Sequence, residues 1–246
     1  MFGLGGGLFY MPVFMLFFED PHTAALLSFL CILLTSGSSA IKHFKVKNVD
    51  LRLVGFLGIP MMVMVFVSGF FVHSIDQELI ARILGMTLVL AGLALSFPLK
   101  TLNFLSWVSK YFYKVWPDKD FPFHPFLATP LAAILGFFCG VSGVAGGVFE
   151  IPIMIGFLRS SPHLAVGTSS LIVFLSGFLG VMSRFCFSSE SFQIDRIALI
   201  FILIVVFVGA QIGSMISIRI NKKVFKKICG IFIMLIGFYY IFKTIL

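Results

Sequence analysis

Long apolar stretches separated by short polar ones run along this chain from end to end. They cover residues 1–18, 22–41, 51–73, 79–98, 127–158, 164–183, 196–218 and 228–246. A helix needs about 20 predominantly apolar residues to cross the hydrocarbon, whereas a barrel strand needs only about 9–11 and alternates. The stretches here are long and uniformly apolar, so the pattern predicts an all-α integral membrane protein, a polytopic helix bundle. The segment from Pro98 to Pro125 interrupts it with Lys, Asp, Pro and aromatic residues. It reads as a cytoplasmic or interfacial linker, where Trp and Tyr are favoured. Three parts follow: a first membrane repeat over 1–98, the linker over 99–125 and a second membrane repeat over 126–246.

The two membrane parts resemble each other. GLGGGLFYMP, from Gly3 to Pro12, matches GVAGGVFEIP, from Gly143 to Pro152, with glycines, a Phe and the Pro in register. PHTAALLSFL from Pro21 matches PHLAVGTSSL from Pro162, so His22 and His163 each open the following helix. Asp50 pairs with Asp195, Gly85 with Gly230 and Gly92 with Gly237, all at one offset of 145 positions. An ordered series of Gly, Pro, His and Asp anchors is the signature of duplication.

Loop charge then orients the halves, because basic residues crowd cytoplasmic loops. Lys42 to Arg52 carries Lys42, Lys45, Lys47 and Arg52 against Asp50, while its equivalent, Ser183 to Arg196, balances Arg184 and Arg196 against Glu190 and Asp195. In the next pair of loops the bias reverses: His73 to Arg82 holds Asp76, Glu78 and Arg82, and Ile218 to Lys227 holds Arg219, Lys222, Lys223, Lys226 and Lys227. Opposite signatures predict two inverted repeats. Inversion requires an odd number of crossings per half, so the Gly-rich segment of each half has to enter and leave on one side. As one straight helix, Leu127 to Leu158 would span about 48 Å at about 1.5 Å per residue, beyond the core of about 30 Å. A helix broken at Gly143 to Gly147 and folded back fits that length.

Composition sharpens the picture. Of the 246 residues 59% are hydrophobic and 11% charged, against about 25% charged in an average soluble domain, which excludes a water-soluble globule. The net charge of +8 follows from loop bias and does not call for nucleic acid. Cys31, Cys139, Cys186 and Cys229 form no CxxC and read as small buried hydrophobes, not as disulfides or metal ligands. Neither a metal nor a cofactor is expected. MFGLGGGLFY lacks the basic n-region of a signal peptide, and the expected location is the cell membrane, multi-pass.

GLGGG is not a nucleotide loop, since no Lys-Ser or Lys-Thr follows and no strand precedes it. Clustered glycines permit φ above zero and leave N–H groups uncovered, and successive N–H groups at a half-helix N-terminus form an anion-binding nest. Gly5, Gly6, Gly7, Gly143, Gly146 and Gly147 are therefore candidate substrate-binding positions, with Pro12 and Pro152 supporting the breaks. Close helix packing is the competing account of the same glycines. Ser28 in the first half and Thr168, Ser169 and Ser170 in the second are candidates to complete an anion's oxygen shell. Glu150 is the acidic residue inside an apolar segment away from its ends. An ionisable group at depth is a functional candidate by default, here for proton coupling, and its repeat partner is Tyr10.

The paired GxGGGxxxxP and GxxGGxxxxP segments, the PHxA starts, the TSS of the second half and GAQIGS at Gly209 to Ser214 resemble the TauE/SafE family of sulfite and organosulfonate exporters. The resemblance covers nearly the whole chain. It implies a small permease moving sulfite, thiosulfate, a sulfonate or a related small anion, with the lipid bilayer as its other partner and oligomeric state left open. Leu27 to Phe29 stands where the second half has TSS, and Ser68-Gly69 is all that remains of GAQIGS, so the first half is expected to contribute less to the site. The first glycine motif also lacks the apolar arm that Leu127 to Ser142 supplies to the second, from which an additional apolar stretch before Met1 is expected. No ATP-binding part is visible, so coupling falls to an ion gradient, the membrane potential or a separate partner. The rival reading is a non-transporting membrane assembly factor or scaffold. An intramembrane enzyme would need paired acid, base or metal ligands at depth, which a single Glu does not provide.

Overall fold

The computed structural model describes residues 7–18, 20–96, 125–144, 146–156, 158, 160–187, 196–216 and 222–243. Gly5, Gly6 and nearly all of the linker lie outside the described residues. The described helices are α1 (Gly7–Phe17), α2 (Pro21–Lys45), α3 (Leu51–Val72), α4 (Gln77–Ser96), α5 (Pro125–Ser142), α6 (Gly147–Gly156), α7 (Pro162–Phe187), α8 (Arg196–Ile216) and α9 (Lys222–Lys243). By length and composition α2, α3, α4 and α7 are each able to cross a membrane. The all-α polytopic expectation holds. The apolar stretch 127–158 is divided, as its excess length requires: α5 ends at Ser142 and α6 starts at Gly147. With 11 and 10 residues, α1 and α6 reach about half the core thickness at about 1.5 Å per residue.

Local chemistry sets the ends. The Asp20 carboxylate accepts from the amides of His22 and Thr23, at 3.0 and 2.9 Å, capping α2 while Pro21 occupies the first turn. Burial opposes the charge on Asp20, yet these bonds and the one from Thr23 Oγ1 outweigh it and hold the carboxyl below its ordinary range. Within α3 a π-helical turn runs from Val54 to Gly58 just before Pro60. A proline has no N–H for the carbonyl four residues back, and that carbonyl, Phe56 O, accepts from Thr129 Oγ1 of α5 at 3.3 Å.

Two antiparallel helix pairs dominate the packing. In α4–α9, Gly85 lies against Gly237 and Gly92 against Gly230. A Cβ on either member of the first pair would stand 2.8 Å from the partner's carbonyl oxygen, and on the second pair 2.6 and 2.9 Å. The contacts are reciprocal with respect to the repeat, because Gly85 corresponds to Gly230 and Gly92 to Gly237. In α2–α7, a Cβ on Gly180 would come within 2.8 Å of the Phe29 ring, and Ser39 Oγ lies 3.1 Å from Ser170 Oγ. Phe29 corresponds to Ser170 and Ser39 to Gly180, both at the offset of 141 that relates His22 to His163. Reciprocal contacts between antiparallel helices are what a two-fold axis perpendicular to the helices generates.

Helix directions also bring loops together. His22 stacks on His73, with centroids 4.9 Å apart and planes at 11°, and Arg184 reaches His22, so the His73–Arg82 loop and the end of α7 share one end of the bundle. The start of α9 sits by the end of α4, opposite. Large apolar side chains such as Phe17, Phe70, Leu90, Phe201 and Leu235 are exposed around the bundle, more than a protein surrounded by water displays in a contiguous patch.

Replacing Gly85 or Gly92 with Leu is expected to force α4 off α9 and cost at least about 1–3 kcal/mol through overpacking, read as a lower unfolding temperature of the detergent-solubilised protein. Leu90→Ala, on the lipid-facing side, should leave that temperature nearly unchanged.

Candidate functional site

The turn between α5 and α6 is a helix C-cap buried in the bundle. Gly143 has φ of +66°, and Val144 N–H donates to Cys139 O at 3.1 Å. A left-handed glycine followed by this six-to-one bond is a Schellman ending. It closes one of the carbonyls that a helix end leaves open, and other side chains close more. Ser142 Oγ donates to Phe138 O at 2.7 Å. Ser28 Oγ of α2 donates to Gly143 O at 2.7 Å. Arg184 of α7, buried, donates from Nη2 to Gly140 O at 2.9 Å and to Val141 O at 3.3 Å. The turn is therefore held by both long helices of the α2–α7 pair.

Its depth follows from α3, which runs parallel to α5. A Cβ on Gly136 would touch the backbone of Met61, and one on Gly140 the Ser68 side chain. Ser68 is near the His73 end of α3 and Met61 at its middle, so the break runs from near that end, at Gly140, back toward the middle of the helix, at Gly146.

The glycines act in different ways. Gly143 requires its conformation, and a Cβ there would also stand 2.8 Å from Ala25 Cβ. Gly146 requires space: a Cβ would collide with the Met61 methyl group and come 3.3 Å from Glu150 Oε1. Gly146 accepts the first bonds of α6, from Phe149 N–H at 2.9 Å and Glu150 N–H at 3.1 Å, and Gly147 is the first residue of that helix. In the other half Gly7 opens α1, and Tyr240 O–H donates to Pro12 O at 3.0 Å.

Beside the turn lies an internal cavity of about 10 Å³, lined by Phe29, Met61, Cys139, Val144, Gly146 and Ser176 among others. That is room for about one water molecule. Met61 packs over Gly146 beside it.

Glu150, 3% exposed, lies in the first turn of α6, the positive end of the helix. Ser169 is close enough to interact with its carboxyl, but neither oxygen makes a hydrogen bond of standard geometry. Ser176 Oγ, which lines the cavity, is also buried without a partner among the described residues. The three consecutive hydroxyls of α7 diverge, as successive residues of a helix do. Thr168 Oγ1 accepts from Asp50 N–H at 3.0 Å, pinning the connection into α3. Ser169 faces Glu150. Ser170 Oγ donates to Val166 O at 2.8 Å and meets Ser39. Around the turn the structure thus assembles Ser28, Gly143, Gly146, Gly147 and Glu150 from the sequence candidates, with Ser169 beside Glu150.

Arg184 and Met61 are additions. By hydropathy Arg184 falls in the loop after the apolar stretch 164–183, but α7 continues to Phe187 and buries it. Its position opposite His43 at the repeat offset of 141 is the signal that finds it. Met61 carries no comparable sequence signal, since its role depends on a contact with Gly146 far along the chain.

Residues 1–240 match the family described as sulfite exporter TauE/SafE. The chain is similar to the probable membrane transporter protein YunE of Bacillus subtilis, 26% identical over 262 residues, covering 100% of this chain and 93% of the relative. A probable membrane transporter protein of Methanocaldococcus jannaschii is 25% identical over 236 residues, 92% of this chain and 82% of the relative. One of Haemophilus influenzae is 27% identical over 199 residues, 74% and 67% of the two chains. No solved structure matches.

Gly143→Ala is expected to lower stability by at least about 1–2 kcal/mol, the cost of a left-handed residue with a Cβ, before the Ala25 contact is added. Ser28→Ala should cost about 1–3 kcal/mol by leaving Gly143 O without its buried donor. Thermal unfolding of the purified variants checks both.

Proposed function

Since the chain belongs to the TauE/SafE sulfite exporter family and is a multi-pass membrane transporter, we propose that it exports a small anion, sulfite, thiosulfate, a sulfonate or a related species, past the α5–α6 turn. The observation that carries this reading is a non-helical turn placed inside the bundle and held by Arg184 and Ser28. Irregular backbone within a membrane is tolerated only where protein surrounds it or a wet cavity adjoins it. Here protein surrounds it, a small cavity adjoins it, and the first turn of α6 begins there with amide donors that have no intrahelical acceptor.

In this reading the halves are inverted repeats related by the axis that the reciprocal α2–α7 and α4–α9 contacts suggest. Gly143, Gly146, Gly147, Ser28 and Ser169 surround the anion, and Gly5, Gly6 and Gly7 do the same in the first half, Gly6 and Gly7 at the positions that match Gly146 and Gly147. Thr168 and Ser170 support the site by fixing α7 against α3 and α2, and Pro12 and Pro152 support the two half-helices. The closed cavity is one state of an alternating cycle, and displacement of Met61 from Gly146 opens it. Glu150 carries the coupling proton, since a buried carboxyl with no cation paired to it among the described residues is costly to keep charged and an anion nearby adds to that cost. A negative-inside potential favours anion exit by about 2.3 kcal/mol per charge per 100 mV, which makes export the downhill direction. The Lys42–Arg52 loop and the start of α9 face the cytoplasm.

Proteoliposomes loaded with labelled sulfite, thiosulfate or a small sulfonate should release at least one of them only when the protein is present; no flux of any of the three would favour the scaffold. Glu150→Gln should flatten the pH dependence of that flux, and an unchanged profile would make the residue structural. In a cysteine-free background, cysteines at Lys47 and Lys227 should be protected from an impermeant reagent added to whole cells, and one at Glu78 should react. Labelling at Lys227 from outside would contradict the inverted arrangement.

A further inference from the structure

Each end of the α2–α7 pair holds a His or Arg side chain with a buried nitrogen that has no hydrogen-bond partner among the described residues. Arg184 is 1% exposed. Its Nη2 is occupied by the Gly140 and Val141 carbonyls, and Nη1 lies 3.4 Å from His22 Nδ1. Nε has no hydrogen-bond partner among the described residues. Among the described residues no carboxylate oxygen comes within 4.0 Å of the guanidinium, and the ion pair there is Arg82–Glu78. Asp20 acts on Arg184 only through its charge, and its own oxygens serve the amides of His22 and Thr23 and the Thr23 hydroxyl. A cation removed from water without a paired anion is costly, so the position favours an anion that arrives from elsewhere.

The opposite end repeats the arrangement. The offset of 141 that carries His22 onto His163 also carries His43 onto Arg184. His43 Nδ1 is buried and has no partner among the described residues. His43 Cβ lies 3.2 Å from where a Cβ on Gly167 would stand, and Gly167 is one helical turn beyond His163 on the same face of α7. In both places the His that opens one long helix sits beside a basic residue near the end of the other, and that residue keeps an unpartnered nitrogen.

We propose that Arg184 with His22, and His43 with His163, form two outer anion stations, one at each end of the passage, that take a small oxyanion such as a sulfite, sulfonate or carboxylate before and after it passes the α5–α6 turn. A buried guanidinium N–H is matched to an oxyanion acceptor, and the Arg fork suits a charged group that presents two oxygens side by side, as a sulfite, sulfonate or carboxylate does. The Arg184 station adjoins the turn, since its carbonyl partners Gly140 and Val141 immediately precede Ser142 and Gly143. The proposal rests on the anion-permease reading.

The test is equilibrium binding of radiolabelled sulfite to the purified full chain in detergent, set beside sulfite flux in proteoliposomes. Arg184→Gln and His43→Gln should each weaken binding about tenfold, a loss of about 1.4 kcal/mol. Arg184→Lys, which keeps the charge and loses the planar fork, should bind less tightly than wild type and more tightly than Arg184→Gln. Unchanged sulfite affinity in folded Arg184→Gln or His43→Gln protein overturns the stations. An Arg184 that only caps α5 predicts that result too, with a lower unfolding temperature in Arg184→Gln and normal binding by the protein that remains folded. Should Arg184→Gln fail to fold, His22→Gln decides: affinity reduced about threefold or more supports the station, and unchanged affinity overturns it. Wild-type protein that binds sulfite without moving it would contradict the permease reading and leave the stations standing. Wild-type flux together with unaltered binding by the variants would do the reverse.

Discussion

Where α5 stops inside the bundle, its last backbone carbonyls must find donors within the protein, because lipid supplies none. Each unsatisfied group in hydrocarbon costs several kcal/mol, so this requirement constrains what surrounds the turn. The Schellman bond from Val144 closes Cys139 O, Ser28 closes Gly143 O and Arg184 closes Gly140 O and Val141 O. Two of these donors come from α2 and α7, which explains why the longest helices of the described fold pack on each other and enclose the turn. A buried cation, a hydroxyl and a left-handed glycine meet there for a structural reason first.

Glycine does the complementary work of allowing approach. Gly85, Gly92, Gly230 and Gly237 bring the α4 and α9 backbones into contact, as small residues do where no water drives helices together. Along α3, Gly136 and Gly140 let α5 lie flush against Met61 and Ser68. Met61 is in turn held over Gly146, so the contact that sets the α3–α5 spacing also closes the cavity. Polar functions are unevenly shared: Glu150, Ser169 and Arg184 all belong to the second half, and Ser28 is the first-half residue that reaches the turn.

Much of this was legible in the chain. Apolar length alone required the break in 127–158, and of the described glycines in the cluster it is Gly143 that uses the positive φ glycine permits. The repeat anchors predicted which glycines correspond, although not that Gly85 would meet the counterpart of Gly92. Reading Gly146 as a conformational position missed its cause, because its constraint is a long-range contact with Met61. Thr168 looked like part of one hydroxyl cluster with Ser169 and Ser170, but its acceptor is engaged by Asp50, a partner that only the tertiary fold supplies. Arg184 was hidden because hydropathy ends the helix where a charge appears, while the helix itself continues for as long as carbonyls nearby can satisfy that charge.

The central claim is that the α5–α6 turn lies on the path of the anion, and accessibility at Val144 tests it most directly. In a cysteine-free, transport-competent background, a cysteine at Val144 would be exposed to an impermeant thiol reagent from each side of the membrane in turn. Methanesulfonate, which unlike sulfite does not react with the reagent, would be the competing anion. The account predicts labelling from both sides, slowed by methanesulfonate and not by the same concentration of a neutral sugar. A cysteine at Val144 that stays unreactive from both sides while the protein transports would show that the anion passes elsewhere.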